Sequence, residues 1–221
     1  MLKTICAAVF LVVELILYAL ILTTGGDLLV AVSYLAIVGC FLYAVSHFKS
    51  GDRLIILGLL CTLLADWFLV VCSPIEQLWG MICFLGAQTA YALRLHGQKP
   101  SRLLLILRGG VTVLAVVIAV AVLGEKTDAL ALVSICYYAN LIINIVAAWA
   151  NWKQNKLFAP ALVLFLLCDT VIGLQMAAGV YLPIEAGTWL HEILFMDFHL
   201  SWFFYLPSQV MIALCTGRKR T

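Results

Sequence analysis

Apolar residues run along this chain in long blocks broken by short polar stretches, with none of the strict alternation that marks half-buried strands. The blocks lie at about 5–22, 28–46, 54–72, 77–95, 102–123, 129–150, 157–178 and 196–215. Each has the length a helix needs to cross a hydrocarbon core of roughly 30 Å. Backbone amides in lipid find partners only within their own helix, so each block predicts a helix. The expected fold class is all-α: a polytopic membrane helix bundle with eight transmembrane helices, in one domain over residues 1–221. Little sequence remains between the blocks, so any chemistry must sit inside the bundle or at its mouth. The N-terminal run is long for a signal peptide and is followed by no convincing cleavage site, so it is expected to stay as the first span.

Composition agrees with the pattern. The chain is 65% hydrophobic and 11% charged, with a mean hydropathy of +1.13, too apolar for a soluble domain of this size. The charges settle an expected orientation. With eight spans, twelve of the 13 Lys and Arg fall on one side, Arg94, Arg102 and Arg108 among them, and only Lys126 falls on the other. The positive-inside rule then puts both termini in the cytoplasm of a multi-pass protein, with the cell membrane as its expected location. The net charge of +2 follows from that topology and implies no nucleic-acid partner. The eight cysteines form no C-x-x-C pair, and His191-Glu192 fails as a zinc motif because position 195 is Phe. Neither disulfides nor a metal site is expected.

Two acids interrupt the apolar blocks: Asp66 in LLADWFLV and Asp169 in LFLLCDTVIGL. A carboxylate at the centre of a bilayer costs about 3 kcal/mol on insertion scales, and no span offers a basic partner at that depth. Aligning LLCTLLAD (59–66) with LVLFLLCD (162–169) reveals a weak internal repeat, about 1–100 and 101–221. It implies two parallel four-helix repeats related by an axis along the membrane normal. Asp66 and Asp169 each lie twelve residues past Leu54 and Leu157, about 18 Å along their helices. Such a repeat would hold them at one level, facing each other.

Further polar side chains fall at similar depth. Phe84, Gln88 and Tyr91 share one helix face, as do Ser201, Tyr205 and Gln209 on another and Tyr137, Asn140 and Asn144 on a third. Glu14 lies near the middle of the first block. Pro207 must bend its helix or free a carbonyl. Asn and Gln in membrane helices commonly serve as interhelical glue, and Tyr137 and Tyr138 read as packing. Candidate substrate-binding residues are Gln88, Tyr91, Tyr205, Gln209, Asn140 and Glu14.

Two carboxyl groups in an apolar cavity form a known chemical device. Desolvation and mutual repulsion favour one protonated and one ionised group, which can act as general acid and general base toward water. Intramembrane aspartyl proteases use such a pair, but their Y-D and G-x-G-D signatures are absent. A small-molecule or lipid transporter could use the same acids as a proton relay.

At these motifs the chain resembles the YhhN family of eight-span membrane proteins, which includes the lysoplasmalogenases. The family pattern L-L-G-D-x-x-L reads Leu63-Leu64-Ala65-Asp66-Trp67-Phe68-Leu69 here. G-x-x-x-F-x-x-A-H-x-x-Y is matched by Gly80, Phe84, Ala87 and Tyr91, with Gln88 in the His place. F-x-L-S-D is matched by Phe165, Leu167 and Asp169, with Cys168 for Ser, and Y-x-x-A-Q-x-x-I by Tyr205, Gln209 and Ile212. The resemblance implies hydrolysis of the vinyl ether of a lysoplasmalogen, a lysophospholipid drawn from the lipid bilayer. The products would be a fatty aldehyde and a glycerophospho-choline or -ethanolamine. Asp66 and Asp169 would be catalytic, and no metal or cofactor would be required. Positions that depart from the pattern include Ala65, Cys168 and Gln88. Gln cannot titrate near neutral pH, so an inactive family member is a further alternative.

Overall fold

The computed structural model describes residues 2–49, 51–72, 74–98, 101–178, 182 and 184–217. Among them the regular structure is helical, apart from an isolated bridge between Ala178 and Leu182. The long helices are α1 (Leu2–Thr23), α2 (Gly26–Ser46), α3 (Arg53–Asp66), α4 (Gln77–Gln98), α5 (Arg102–Leu123) and α6 (Ala129–Ala150). After a short α7 (Trp152–Asn155) come α8 (Phe158–Ala177), a short α9 (Trp189–Leu194) and α10 (Leu200–Thr216). A π-helical turn, Trp67–Val71, prolongs α3. Side chains cap several of the helix starts. Asp52, Ser101, Asp128 and Thr188 each accept a backbone N–H as N-caps, from Leu54, Leu104, Ala131 and His191.

A long helix stands at each of the eight apolar blocks, and six are long and apolar enough to cross a membrane: α1, α2, α3 with its π turn, α5, α6 and α8. That is two fewer than the blocks suggested. α4 carries Gln77, Gln88, Thr89, Arg94, His96 and Gln98, which dilute its apolar character. α10 has only 17 residues because residues 196–199, expected inside the last block, form a turn before it.

The most extensive packing joins α3 to α4, α8 to α10 and α4 to α6. α5 packs on α6 at the edge of the bundle. Buried alanines, including Ala65, Ala87, Ala147, Ala161 and Ala213, let backbones approach closely. Two glycines take this further. A Cβ on Gly58 would fall 2.2 Å from the Tyr91 ring, and one on Gly80 would fall 2.4 Å from Leu69 in the π turn. Pro207 has its expected consequence: it frees the carbonyl of Phe203, which accepts the hydroxyl of Tyr18 on α1 at 3.0 Å.

One end of the bundle is tied shut. Arg94 pairs with Asp52 at 2.9 Å, donates to Asn155 Oδ1 at 2.8 Å, and lies 4.3 Å over the ring of Phe158. These contacts join α3, α4, α7 and α8 at the end that carries the basic loops. By sequence Arg94 and Arg108 belong to the charges that flank the spans; the fold sets Arg94 in this buried network with Asp52 and Asn155, and Arg108 lies one and a half turns inside α5.

Candidate active site

Asp66 is the last residue of α3, where the ladder slips from α to π spacing and the Cys72 N–H bonds back to the Trp67 carbonyl at 2.9 Å. Single π turns of this kind often occur at functional sites. This one turns Leu69 and Val70 toward the space in front of Asp66, and Gly80 admits Leu69 against α4. Asp169 sits in the second half of α8. Both acids line one cavity of about 290 Å³. Its walls come from the start of α4 (Met81, Phe84), the start of α6 (Leu130, Ser134), the end of α8 (Ile172, Met176) and the start of α10 (Trp202, Tyr205). All these segments lie toward the end of the bundle opposite the Arg94–Asp52 pair. The cavity therefore belongs to that end, with the two acids and Phe84 among its deeper residues.

Each carboxyl is held by one phenol. Tyr205 donates to Asp66 Oδ2 at 2.6 Å. Tyr137 on α6 donates to Asp169 Oδ2, and its neighbour Tyr138 donates to the Asp169 backbone carbonyl. The phenols are fixed in turn by an aromatic cluster. Phe84 lies 5.6 Å from Phe165 and 5.8 Å from Tyr137, and Phe165 lies 5.5 Å from Tyr205. Such edge-on and tilted contacts lock ring orientation as well as bury area. Neither Lys nor Arg is among the residues lining the cavity, so each acid has a neutral donor and no counter-ion there. One acid oxygen is engaged by a hydroxyl, and the other is left to the cavity. This suits a pair that gives and takes protons better than one locked in an ion pair.

The residues expected at the site divide by depth. Asp66, Asp169, Tyr205 and Ser201 line the cavity, whereas Gln88, Tyr91, Gln209, Asn140 and Glu14 do not. Gln88 lies one turn deeper than Phe84, and its Oε1 accepts from Asn144 Nδ2 at 2.9 Å. Gln209 lies one turn deeper than Tyr205 and is fully buried, and no partner for its amide is found among the described residues. Tyr91 is buried against Gly58 and Phe158. Asn140 accepts from Arg108 at 2.6 Å. Glu14 is buried on α1 against Gly39 of α2, with neither oxygen hydrogen-bonded among the described residues. Helical spacing put these groups on the right faces but could not say how deep the cavity reaches.

Tyr137, which reads as packing in the sequence, is the side chain that holds Asp169. The available signal was its place on the polar face of α6, with Asn140 and Asn144. Cys168, at the position where the family pattern has Ser, also lines the cavity. Gln175 ties the end of α8 to the Leu194 carbonyl in α9, and His199 is bonded to the Thr24 carbonyl at 2.8 Å. His199 is thus engaged in joining the α1–α2 turn to α10.

No curated protein and no solved structure matches the chain. The YhhN family profile matches residues 34–216, from within α2 to the end of α10. That range takes in both acids, both tyrosines that hold them and every residue of the cavity wall, and leaves Glu14 outside. With most of its length and its whole acid-bearing cavity inside the match, the chain belongs to the YhhN family.

Proposed function

We propose that this protein is a membrane hydrolase that cleaves the vinyl ether bond of lysoplasmalogens, with Asp66 and Asp169 as its acid/base pair. The observation that carries the reading is that both carboxyls, 103 residues apart in sequence, line the same apolar cavity, each steadied by a tyrosine. YhhN membership is consistent with it.

The reaction follows from the chemistry of the bond. A proton adds to the vinyl carbon remote from oxygen, and the neighbouring carbon and the ether oxygen share the positive charge of an oxocarbenium ion. Water adds to that carbon and loses a proton. The resulting hemiacetal breaks its C–O bond to release a fatty aldehyde and the glycerol hydroxyl of the glycerophospho-choline or -ethanolamine. Asp66 is the more enclosed acid, 3% exposed. A neutral carboxyl is tolerated there more readily than a carboxylate, so Asp66 donates the proton. Asp169 is half-buried and therefore closer to entering water. It takes the proton from water and its charge stabilises the cation. Tyr205 and Tyr137 keep each carboxyl in register. The cavity is small beside ligand pockets of roughly 300–1,000 Å³, so it suits the ether and adjoining methylenes, with the rest of the lipid outside.

All eight long helices span the membrane in this reading, with both termini in the cytoplasm of the cell membrane. The twelve-to-one charge division supports that orientation. The cavity then faces the outer leaflet, and the Arg94–Asp52 end faces the cytoplasm. The packing of α3 on α4 and of α8 on α10 is what two parallel four-helix repeats would show.

Aldehyde release from a defined lysoplasmalogen by the purified protein in detergent is the direct test. Hydrolysis by the native protein and its loss in Asp66→Asn support the reading. A full rate in Asp66→Asn overturns the acid-pair mechanism. A lipid that crosses a vesicle wall chemically unchanged would instead favour a proton-coupled carrier.

A further inference from the structure

Arg108 is a cation within a membrane-crossing helix, and the acid/base chemistry above does not use it. α5 turns a narrow stripe toward α6, comprising Leu104, Arg108 and Thr112, and exposes most of the rest of its surface. The guanidinium donates to Asn140 Oδ1 at 2.6 Å and to Asn144 Oδ1 at 2.7 Å. Both acceptors are neutral, and no carboxylate lies within 4.0 Å of Arg108 among the described residues. The amide oxygens orient the fork without balancing its charge, and a lone cation at this depth is costly.

The fork is held stiffly. Asn140 donates its own amide to the Cys136 carbonyl at 2.8 Å, and Asn144 donates to Gln88 at 2.9 Å, so neither oxygen is free to swing away. Further donors lie nearby and unused. Thr112 Oγ1, one turn along the same stripe, and Gln88 Nε2, beside Asn144, are buried with no partner among the described residues. The adjoining Gly109 and Gly110 face open space, where a Cβ would meet nothing within 4 Å. A half-buried guanidinium with neutral acceptors, flanked by spare donors, is complementary to an anion. Arg108 lies six residues past the start of α5 at Arg102, about 9 Å along the helix, so this position is nearer the end with the basic loops than the opposite end.

We infer that Arg108, set between Asn140 and Asn144 at the α5–α6 seam, binds the phosphate of an anionic phospholipid in the leaflet on the basic-loop side. Arg suits phosphate because its planar fork can present two N–H groups together, and basic pockets between membrane helices are known headgroup sites. The acyl chains would lie along the exposed apolar surface of α5, where Leu105, Ile106 and Val113 are each more than half exposed. This site is separate from the acid-bearing cavity and does not depend on the hydrolase reading.

The test compares the native protein, Arg108→Gln and Arg108→Lys in detergent, each incubated with phosphatidylglycerol or phosphatidylcholine and examined by native mass spectrometry. The native protein should retain phosphatidylglycerol in preference to phosphatidylcholine. Arg108→Gln should lower that retention about tenfold or more, and Arg108→Lys should lower it only severalfold, because the charge survives and the fork does not. Equal retention by native protein and Arg108→Gln overturns the site. Equal retention of both lipids by the native protein reduces it to ordinary lipid contact and overturns it as well. Displacement of the lipid by equimolar inorganic phosphate would show a free-anion site, against the proposal. Should the variants fail to fold, photo-crosslinking of the native protein by a headgroup-labelled phosphatidylglycerol decides. Crosslinks within residues 101–112 or 136–144 support the site, and crosslinks confined elsewhere overturn it.

Discussion

The Tyr205 hydroxyl donates to Asp66 Oδ2 at 2.6 Å, joining α10 to the last residue of α3 across 139 positions of sequence. The bond sets the orientation of the carboxyl without supplying charge. Tyr205→Phe keeps the ring in its aromatic cluster and removes only the hydroxyl. Vinyl-ether hydrolysis should fall about tenfold, with little change in thermal stability, because a neutral hydrogen bond is worth about 1 kcal/mol net. Aldehyde release and thermal unfolding, measured on the same preparation, check the two halves of this expectation.

Removing the acids themselves should cost far more. Asp66→Asn and Asp169→Asn preserve shape and some hydrogen bonding but end proton transfer. Each should slow aldehyde release by about 10²–10⁴-fold. The double variant should be scarcely slower than either single one if the two acids act as a unit. Multiplicative losses would show that they act independently.

Gln88 provides a sharper test, since the family pattern has His there. Its side chain lies one turn beneath the cavity and accepts a hydrogen bond from Asn144. Gln88→His should therefore change activity less than about tenfold and leave the requirement for both acids intact. A gain near the ~10²-fold typical of a positioned general acid or base would show that the imidazole reaches the substrate, contrary to this placement.

Gly58 is where α3 admits Tyr91 of α4. A Cβ there would lie 2.2 Å from the ring, and the ring is fully buried against Phe158. Gly58→Ala should destabilise the protein by about 1–3 kcal/mol, the usual range for overpacking, with a lower midpoint in thermal unfolding. An unchanged midpoint would mean that α3 and α4 separate without penalty.

At the closed end, Arg94→Gln takes the cation from a buried pair and leaves the Asp52 carboxylate enclosed. Breaking such a pair typically costs 3–5 kcal/mol. Arg94→Gln should unfold at markedly lower temperature than the native protein, and adding Asp52→Asn should restore part of the loss. Failure of the second change to help would indicate that packing on Phe158 dominates.

The positions of the long helices were readable in the sequence because runs of apolar residues of this length have few other ways to satisfy their backbone in lipid. The eight blocks and the eight long helices begin and end within a few residues of one another, except where the turn at 196–199 delays α10. Pro207 was legible for the same local reason: the carbonyl it frees lies four residues back, and only the identity of its donor, Tyr18, required the fold. That Asp66 and Asp169 stood out was also local, a matter of charge set among hydrocarbon. Which side chains meet was a different kind of question. On helices apolar all round, polarity does not mark the inward face, and depth along the helix decides what reaches a cavity. Tyr205 and Gln209 share a face, yet one turn puts the first on the cavity wall and the second beneath it. Tyr137 looked like packing until α6 came to lie beside α8 and its hydroxyl met Asp169. Arg108 looked like a loop charge until Asn140 and Asn144 came within reach of it. These relationships depend on contacts between residues tens to more than a hundred positions apart. Close packing of helix against helix, by way of Gly58, Gly80 and the buried alanines, determines them, and no local pattern encodes it.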